Sequence, residues 1–150
     1  SSAVAEPGPA TPSASATDYV PPALVPEAAK GEKGARNVLL SWAKAVEAHQ
    51  FRAAYALFGP HGPGNGQSAA DFAAAFVPYK TIDVALGDGG FEGAAGSSFY
   101  SVPVTLAGTK RDGSAYRRLG TITLRRVNDV PGAAAWELAW HVETVDWQGR

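Results

Sequence analysis

The sequence predicts an α+β domain: three N-terminal helices packed on a curled antiparallel sheet of about four to five strands. Three observations predict it. The stripes Leu39-Trp42-Ala43-Val46 and Phe51-Ala54-Tyr55-Phe58 keep the i, i+3, i+4, i+7 spacing that lines one helix face, and Phe72-Ala75-Phe76 adds a shorter third. From Thr81 onward the apolar period falls to two, the period of a strand with one buried face. Helices come first and strands after, an order that gathers the helices on one side of the sheet.

The first helix is expected over about Lys33 to His49, with Gln50 as the break, and the second over Phe51 to Phe58. Gly59-Pro60-His61-Gly62-Pro63-Gly64-Asn65-Gly66 has strong turn chemistry and ends it. Ser68 followed by Asp71 resembles a capping box and opens the third helix, which Pro78 ends because the residue before a proline disfavours helix. The strand segment then starts at Thr81 to Leu86, with Ile82, Val84 and Leu86 on one face. Asp88-Gly89-Gly90 reads as a turn. Phe91 to Ala107 reads as one long bent strand, with a bulge near Gly93 and Gly96 and with Tyr100, Val102, Val104 and Leu106 on one side. Pro103 has no N–H and argues for an edge or bulge at its position. Lys110-Arg111-Asp112-Gly113 is a hairpin turn, Tyr116 to Val127 the next strand with Ile122 and Leu124 inward, and Ala135 to about Trp147 the last. On that last strand Trp136, Leu138, Trp140 and Val142 share one face, and Glu137, His141 and Glu143 the other.

Residues 1–30 differ from the rest. Pro7, Pro9, Pro12, Pro21, Pro22 and Pro26 lie among Ala, Ser and Thr, a composition too poor in apolar surface to offset its own ordering entropy. We read 1–30 as a disordered tail or tether and 31–150 as the domain. A Ser/Ala/Pro-rich spacer of this kind follows the lipidated cysteine of a bacterial lipoprotein, and the start Ser-Ser-Ala-Val-Ala is read as following a removed segment. A lipid anchor upstream of residue 1 and a place outside the cytoplasm, in the periplasm or cell envelope, are therefore expected.

Composition excludes several classes. Thirteen basic and 14 acidic residues leave a net charge of −1, with no basic field to attract nucleic acid. Arg117-Arg118 and Arg125-Arg126 are the only basic doublets; alternation splits each between the two sheet faces, and we read them as solvated surface. With no cysteine, disulfides, thiolate catalysis and cysteine zinc sites are absent. No apolar run is long enough to span a bilayer as a helix. No Gly-x-Ser-x-Gly elbow occurs, and the glycines at 87, 89, 90 and 93 precede a strand rather than the helix that a dinucleotide fingerprint requires. No cofactor is expected.

One stretch carries a family resemblance. SWAKAVEAHQFRAAYALF places an aromatic (Trp42) on a helix, then the polar pair His49-Gln50, then a second helix ending in an aromatic (Phe58). With the third helix and curled sheet after it, the chain from about Ala35 to Trp147 resembles the nuclear transport factor 2-like superfamily, which includes ketosteroid isomerase and the SnoaL-like cyclases. The segment around GSSFYSVPVTL, with RDG and LRRVNDV after it, is also similar to uncharacterised proteobacterial envelope proteins of that superfamily. The resemblance implies the cone fold. It implies no single activity, because this fold hosts enzymes, binding proteins and assembly modules. It also marks departures: Trp42 stands where the isomerases carry their oxyanion-stabilising tyrosine, and no carboxylate precedes Asp71 where their general-base aspartate would follow the second helix. The isomerase pair is missing, so no catalytic residue is assigned.

The remaining candidates are aromatic and polar. Trp42, Tyr55, Phe72, Phe76, Tyr100, Trp136 and Trp140 fall on predicted inward faces. Of these Trp42, Tyr55, Tyr100 and Trp140 carry hydrogen-bonding tips and are the expected ligand-binding residues, while Phe72 and Phe76 are better explained as core. Asp83, Glu92 and His141 are the candidate polar site, for a proton-transfer reading. His141 with Glu137 and Glu143 is read as a solvated or dimer-forming face rather than a metal site. The expected function is a non-catalytic envelope module that binds a small apolar ligand or a protein partner. The alternatives are a SnoaL- or isomerase-like enzyme with a rearranged site, and a homodimer through the outer sheet face carrying Phe99 and Trp147.

Overall fold

The computed structural model describes residues 23–63, 66–94 and 96–148. Four helices precede the sheet: α1 (Pro26–Ala29), α2 (Glu32–Glu47), α3 (Phe51–Ala56) and α4 (Ala69–Ala74). The strands are β1 (Asp83–Leu86), β2 (Gly90–Ala94), β3 (Ser97–Thr109), β4 (Ala115–Val127) and β5 (His141–Trp147), with a short α5 (Ala135–Leu138) before the last.

Local chemistry accounts for the helix ends. The α2 helix stops at Glu47, two residues before the expected end. His49 adopts a left-handed φ of 62°. Its N–H reaches the Val46 carbonyl at 3.0 Å and that of Gln50 reaches Ala45 at 2.8 Å, the pair of bonds that closes a helix over a left-handed residue. At α4 the Ser68 hydroxyl accepts from the Asp71 N–H at 3.1 Å, as the capping signal predicts. The α1 turn lies inside the stretch read as tail, while residues 1–22 lie outside the described residues. It begins at Pro26, whose fixed φ suits a first helical position.

All sheet pairings are antiparallel. The order is β1-β3-β4-β5, and β2 also pairs β3. Two expectations are corrected here. Phe91 to Ala107 is not one strand: it reverses beside Gly96 (φ 76°), so that β2 and β3 form a hairpin. Asp88-Gly89-Gly90 is not a reversal: β1 and β2 lie end to end along the same edge of β3, broken at Gly87–Gly89. Pro103 explains the break. Its carbonyl accepts the Gly87 N–H at 2.9 Å, so its missing N–H faces the gap, where no partner is needed. Pro103 therefore sits in an inner strand, opposite a break in the edge.

The last strand is also shorter than expected. Ala135–Leu138 is a helical turn, with the Glu137 carboxylate accepting the Ala134 N–H at 2.8 Å, and β5 begins only at His141. Trp136 is half-buried and packs on Gly59 and between His61 and His141, outside the main core. A register shift between Thr123 and Leu124 leaves Glu143 as an extra residue on β5. Beyond it Val145 and Trp147 stand opposite Ile122 and Gly120.

The helices cover the concave sheet face. Leu39, Trp42 and Val46 of α2 pack with Tyr100, Val102, Val104, Ile122, Leu124 and Val142, all buried. Helix α2 also binds the exposed sheet edge. The Glu47 carboxylate accepts the Val84 N–H at 2.9 Å, and Arg36 Nη1 donates to the Gly87 carbonyl at 2.9 Å. These bonds occupy edge groups that would otherwise be open to another strand.

Candidate functional site

The two ends of the concave face differ. At one end Tyr100, from β3, is fully buried, and its hydroxyl donates to Glu32 Oε2 at 2.6 Å. Burial first, and the bond to Glu32 second, push the Tyr100 phenol above its ordinary pKa. Gly89, at the break in the edge strand, lies so close that a Cβ there would overlap the Tyr100 ring. Trp140 packs near it, ring centroids 6.4 Å apart, and donates its indole N–H to the Lys30 carbonyl at 3.1 Å. Lys30 in turn reaches Asp129 Oδ2 at 3.1 Å, and Asp129 Oδ1 lies 3.2 Å from Arg126 Nη2. That bond to Lys30 holds the Asp129 carboxyl below the usual carboxylate range. The N-terminal strap, the edge-strand break and the β4–β5 connection thus close this end.

At the other end the helices and sheet part around a cleft of about 190 Å³. Its helical wall is Phe58, Phe72, Ala75 and Phe76, where Phe72 meets Phe58 and Phe76 edge-on at 5.7 and 5.2 Å. Its sheet wall is Arg118, Val145 and Trp147, and Pro63 and Gln67 complete the rim. The Arg118 guanidinium lies 5.1 Å from the centre of the Trp147 ring, a cation–π geometry. Trp147 reaches this position because β4 has a glycine opposite it: a Cβ on Gly120 would strike the indole. Tyr79 stacks on Tyr116 at 4.0 Å and stands 3.4 Å from Arg118 Nη1 through its hydroxyl. Burial, then the nearby Tyr79 and Asp83, push the Tyr116 phenol up to about 12.

The expected ligand-binding residues do not line this cleft. Trp42 is fully buried in the core, and its indole N–H has no hydrogen-bond partner among the described residues. Tyr100 and Trp140 come together at the closed end. Tyr55 stands behind the cleft's helical wall, its ring 5.9 Å from Phe72, with its hydroxyl donating to the Gln67 carbonyl at 2.6 Å. Trp140 also borders a hollow of about 230 Å³ beside α1, and a second hollow runs along Glu32 and Arg36. Both adjoin Leu24, next to residues outside the described chain, and neither is taken as the site.

The polar candidates are dispersed. Asp83 is exposed on β1, Glu92 is exposed at the far end of the same edge, and His141 is buried at the start of β5. His141 sits edge-on to Trp136 with Nδ1 3.3 Å from the Ala139 carbonyl and Nε2 3.7 Å from Glu143. Glu137 is turned to its own helix cap, so the expected His141-Glu137-Glu143 strand face does not form. No cluster of His, Asp and Glu among the described residues could hold a metal ion.

The residues that sequence reasoning missed are Arg118 and Trp147. Arg118 was read as solvated surface and Trp147 as part of the outer face. Both instead lie on the concave side, in the cleft. The signal was available for Arg118, which shares its strand parity with Ile122 and Leu124. For Trp147 it was hidden by the register shift on β5.

No family model matches the chain, and no curated protein matches it. Solved structures do. A nuclear transport factor 2-like superfamily protein from Salmonella enterica superposes with a TM-score of 0.52 at 12% identity, over 75% of this chain and 85% of its own. A candidate aromatic ring hydroxylase from Novosphingobium aromaticivorans gives 0.54 at 15%, over 75% and 83%. A candidate calcium/calmodulin dependent protein kinase II association domain from Xanthomonas campestris gives 0.54 at 14%, over 86% and 94%. At these identities the likeness is one of fold: the chain has the nuclear transport factor 2-like cone fold.

Proposed function

We propose that this nuclear transport factor 2-like chain is a non-catalytic binding module that takes a small apolar ligand into the cleft between α4 and the β4–β5 end of the sheet. The observation that carries this reading is the contrast in filling. The interior around Trp42 and Tyr100 is packed with buried side chains, whereas the aromatic space between Phe72 and Trp147 is left open. The non-catalytic part is supported by the cleft's lining. Among the described residues its one ionisable group is Arg118, whose guanidinium has donors and no acceptor and so offers a substrate no base. None of Asp83, Glu92 and His141 lines it.

The reading includes a place in the cell envelope, with the stretch ahead of α1 as the spacer. Its support is the Pro-, Ala- and Ser-rich composition of that stretch. No helix among the described residues is long and apolar enough to cross a membrane.

Methyl-resolved NMR tests the binding site. Titration with a panel of small apolar compounds is expected to shift the methyl signals of Ala75 and Val145, which both line the cleft. No shift at either methyl with any member at millimolar concentration rejects the cleft as a ligand site.

A further inference from the structure

We propose that the ligand of this cleft is an acid: a single-ring aromatic or similarly compact apolar molecule carrying one carboxylate, which Arg118 receives. This rests on the binding reading above and narrows it to a chemical class.

Charge comes first. Arg118 projects from β4 to the concave side, where the neighbouring inward residues of the same parity, Gly120, Ile122 and Leu124, are buried. A guanidinium placed among apolar groups is costly unless its charge and donors are answered. Here the surrounding protein answers them little. No carboxylate among the described residues pairs with Arg118. Its hydrogen bond to the Tyr79 hydroxyl is long at 3.4 Å, and its remaining described partner is the face of Trp147. Contrast Arg126, on the same strand face, whose two terminal nitrogens bond Asn128 at 2.9 Å and Asp129 at 3.2 Å. Among the described residues Arg126 has a carboxylate partner and Arg118 has none. A guanidinium has five donors in a fixed fork that matches a carboxylate's two oxygens. The contact with the Trp147 face restricts the guanidinium, so less freedom is lost when it engages an anion.

Size comes second. An apolar cavity of ~150 Å³ accepts benzene. A cleft of about 190 Å³ therefore has room for one ring with a short substituent. Phe58, Phe72 and Phe76 present ring edges and faces suited to a flat apolar body on the wall across from the guanidinium.

The experiment compares benzoate with benzamide, its neutral counterpart of nearly the same shape, by isothermal titration and by the Ala75 and Val145 methyl shifts. Benzoate is expected to bind about ten- to a hundredfold more tightly, as a charge-assisted paired hydrogen bond allows. Arg118→Gln is expected to bring benzoate down to the level of benzamide, and Arg118→Lys to restore part of the difference. The wild-type comparison needs no variant, so a variant that fails to fold leaves the test intact. Equal binding of benzoate and benzamide overturns the acid class while leaving the binding reading standing. Binding of toluene or indole at the same methyls without benzoate does the same. Failure of every one of these compounds overturns both.

Discussion

The closed end and the open cleft are built from the same materials and used differently. Each has a tyrosine, a tryptophan and an arginine close by. At the closed end the phenol, the indole and both terminal nitrogens of the arginine are bound within the chain: Tyr100 to Glu32, Trp140 to Lys30, Arg126 to Asn128 and Asp129. A backbone without a side chain, Gly89, is pressed over the phenol. At the cleft Arg118 rests on Trp147, and the space in front of it is unfilled. Aromatic content alone therefore does not mark a site in this fold. What separates the closed end from the cleft is whether the arginine has a carboxylate partner among the described residues and whether the space before it is filled.

The largest effect is expected where packing is densest. Trp42→Ala removes a fully buried indole from the centre of the α2 stripe and should cost about 3–5 kcal/mol in denaturant unfolding. A loss below about 1 kcal/mol would mean the interior is loosely packed. The contrast between a filled core and an empty cleft would then collapse.

The next test adds atoms at each end. Gly89→Ala places a methyl group against the Tyr100 ring, which is fully buried and has no room to retreat. Overpacking of this kind should cost about 1–3 kcal/mol. Ala75→Leu adds a larger group, but into the cleft and from an exposed position at the end of α4. Its effect on stability should stay within about 0.5 kcal/mol, while benzoate binding is lost. Equal costs at the two positions would show that the cleft is as constrained as the closed end.

The sequence carried the skeleton of this comparison and missed its chemistry. Helical stripes and alternating strands were readable because burial imposes a period on them: Leu39, Trp42 and Val46 could hardly be anything but a helix face. Asp88-Gly89-Gly90 was ambiguous in principle, since the same residues suit a reversal and a break in an edge strand. The difference is decided by Pro103 across the ladder, a contact distant in sequence. Trp136, Leu138 and Trp140 kept strand spacing through a stretch that is partly helical, because one helical turn is too short to reset a period of two. Arg118 had the parity of an inward residue, but its doublet with Arg117 suggested surface. Only the tertiary positions of Trp147 and Gly120 show that an inward arginine has somewhere to go.

The smallest expected effect concerns the closure itself. Asp129 joins Lys30 of the N-terminal strap to Arg126 of β4, and both Lys30 and Asp129 are substantially exposed. Exposed pairs contribute little and are screened by salt. The Asp129 carboxyl is nonetheless held below its ordinary value, chiefly by its bond to Lys30. A depressed carboxylate stabilises the fold above its unfolded pKa of about 3.9, and that contribution disappears as pH falls through the lower folded value. Asp129→Asn is the suitable probe, because residue 129 has a left-handed φ of 41° and asparagine tolerates that conformation. The difference in stability between wild type and variant should be small and constant above about pH 5, and should vanish in acid below the lower, folded value. Benzoate affinity should be the same in both proteins at neutral pH, because the latch lies at the opposite end from Arg118. A variant that weakened benzoate binding while remaining folded would show that the two ends are coupled, and the division of this molecule into a closed half and a receptive half would have to be given up.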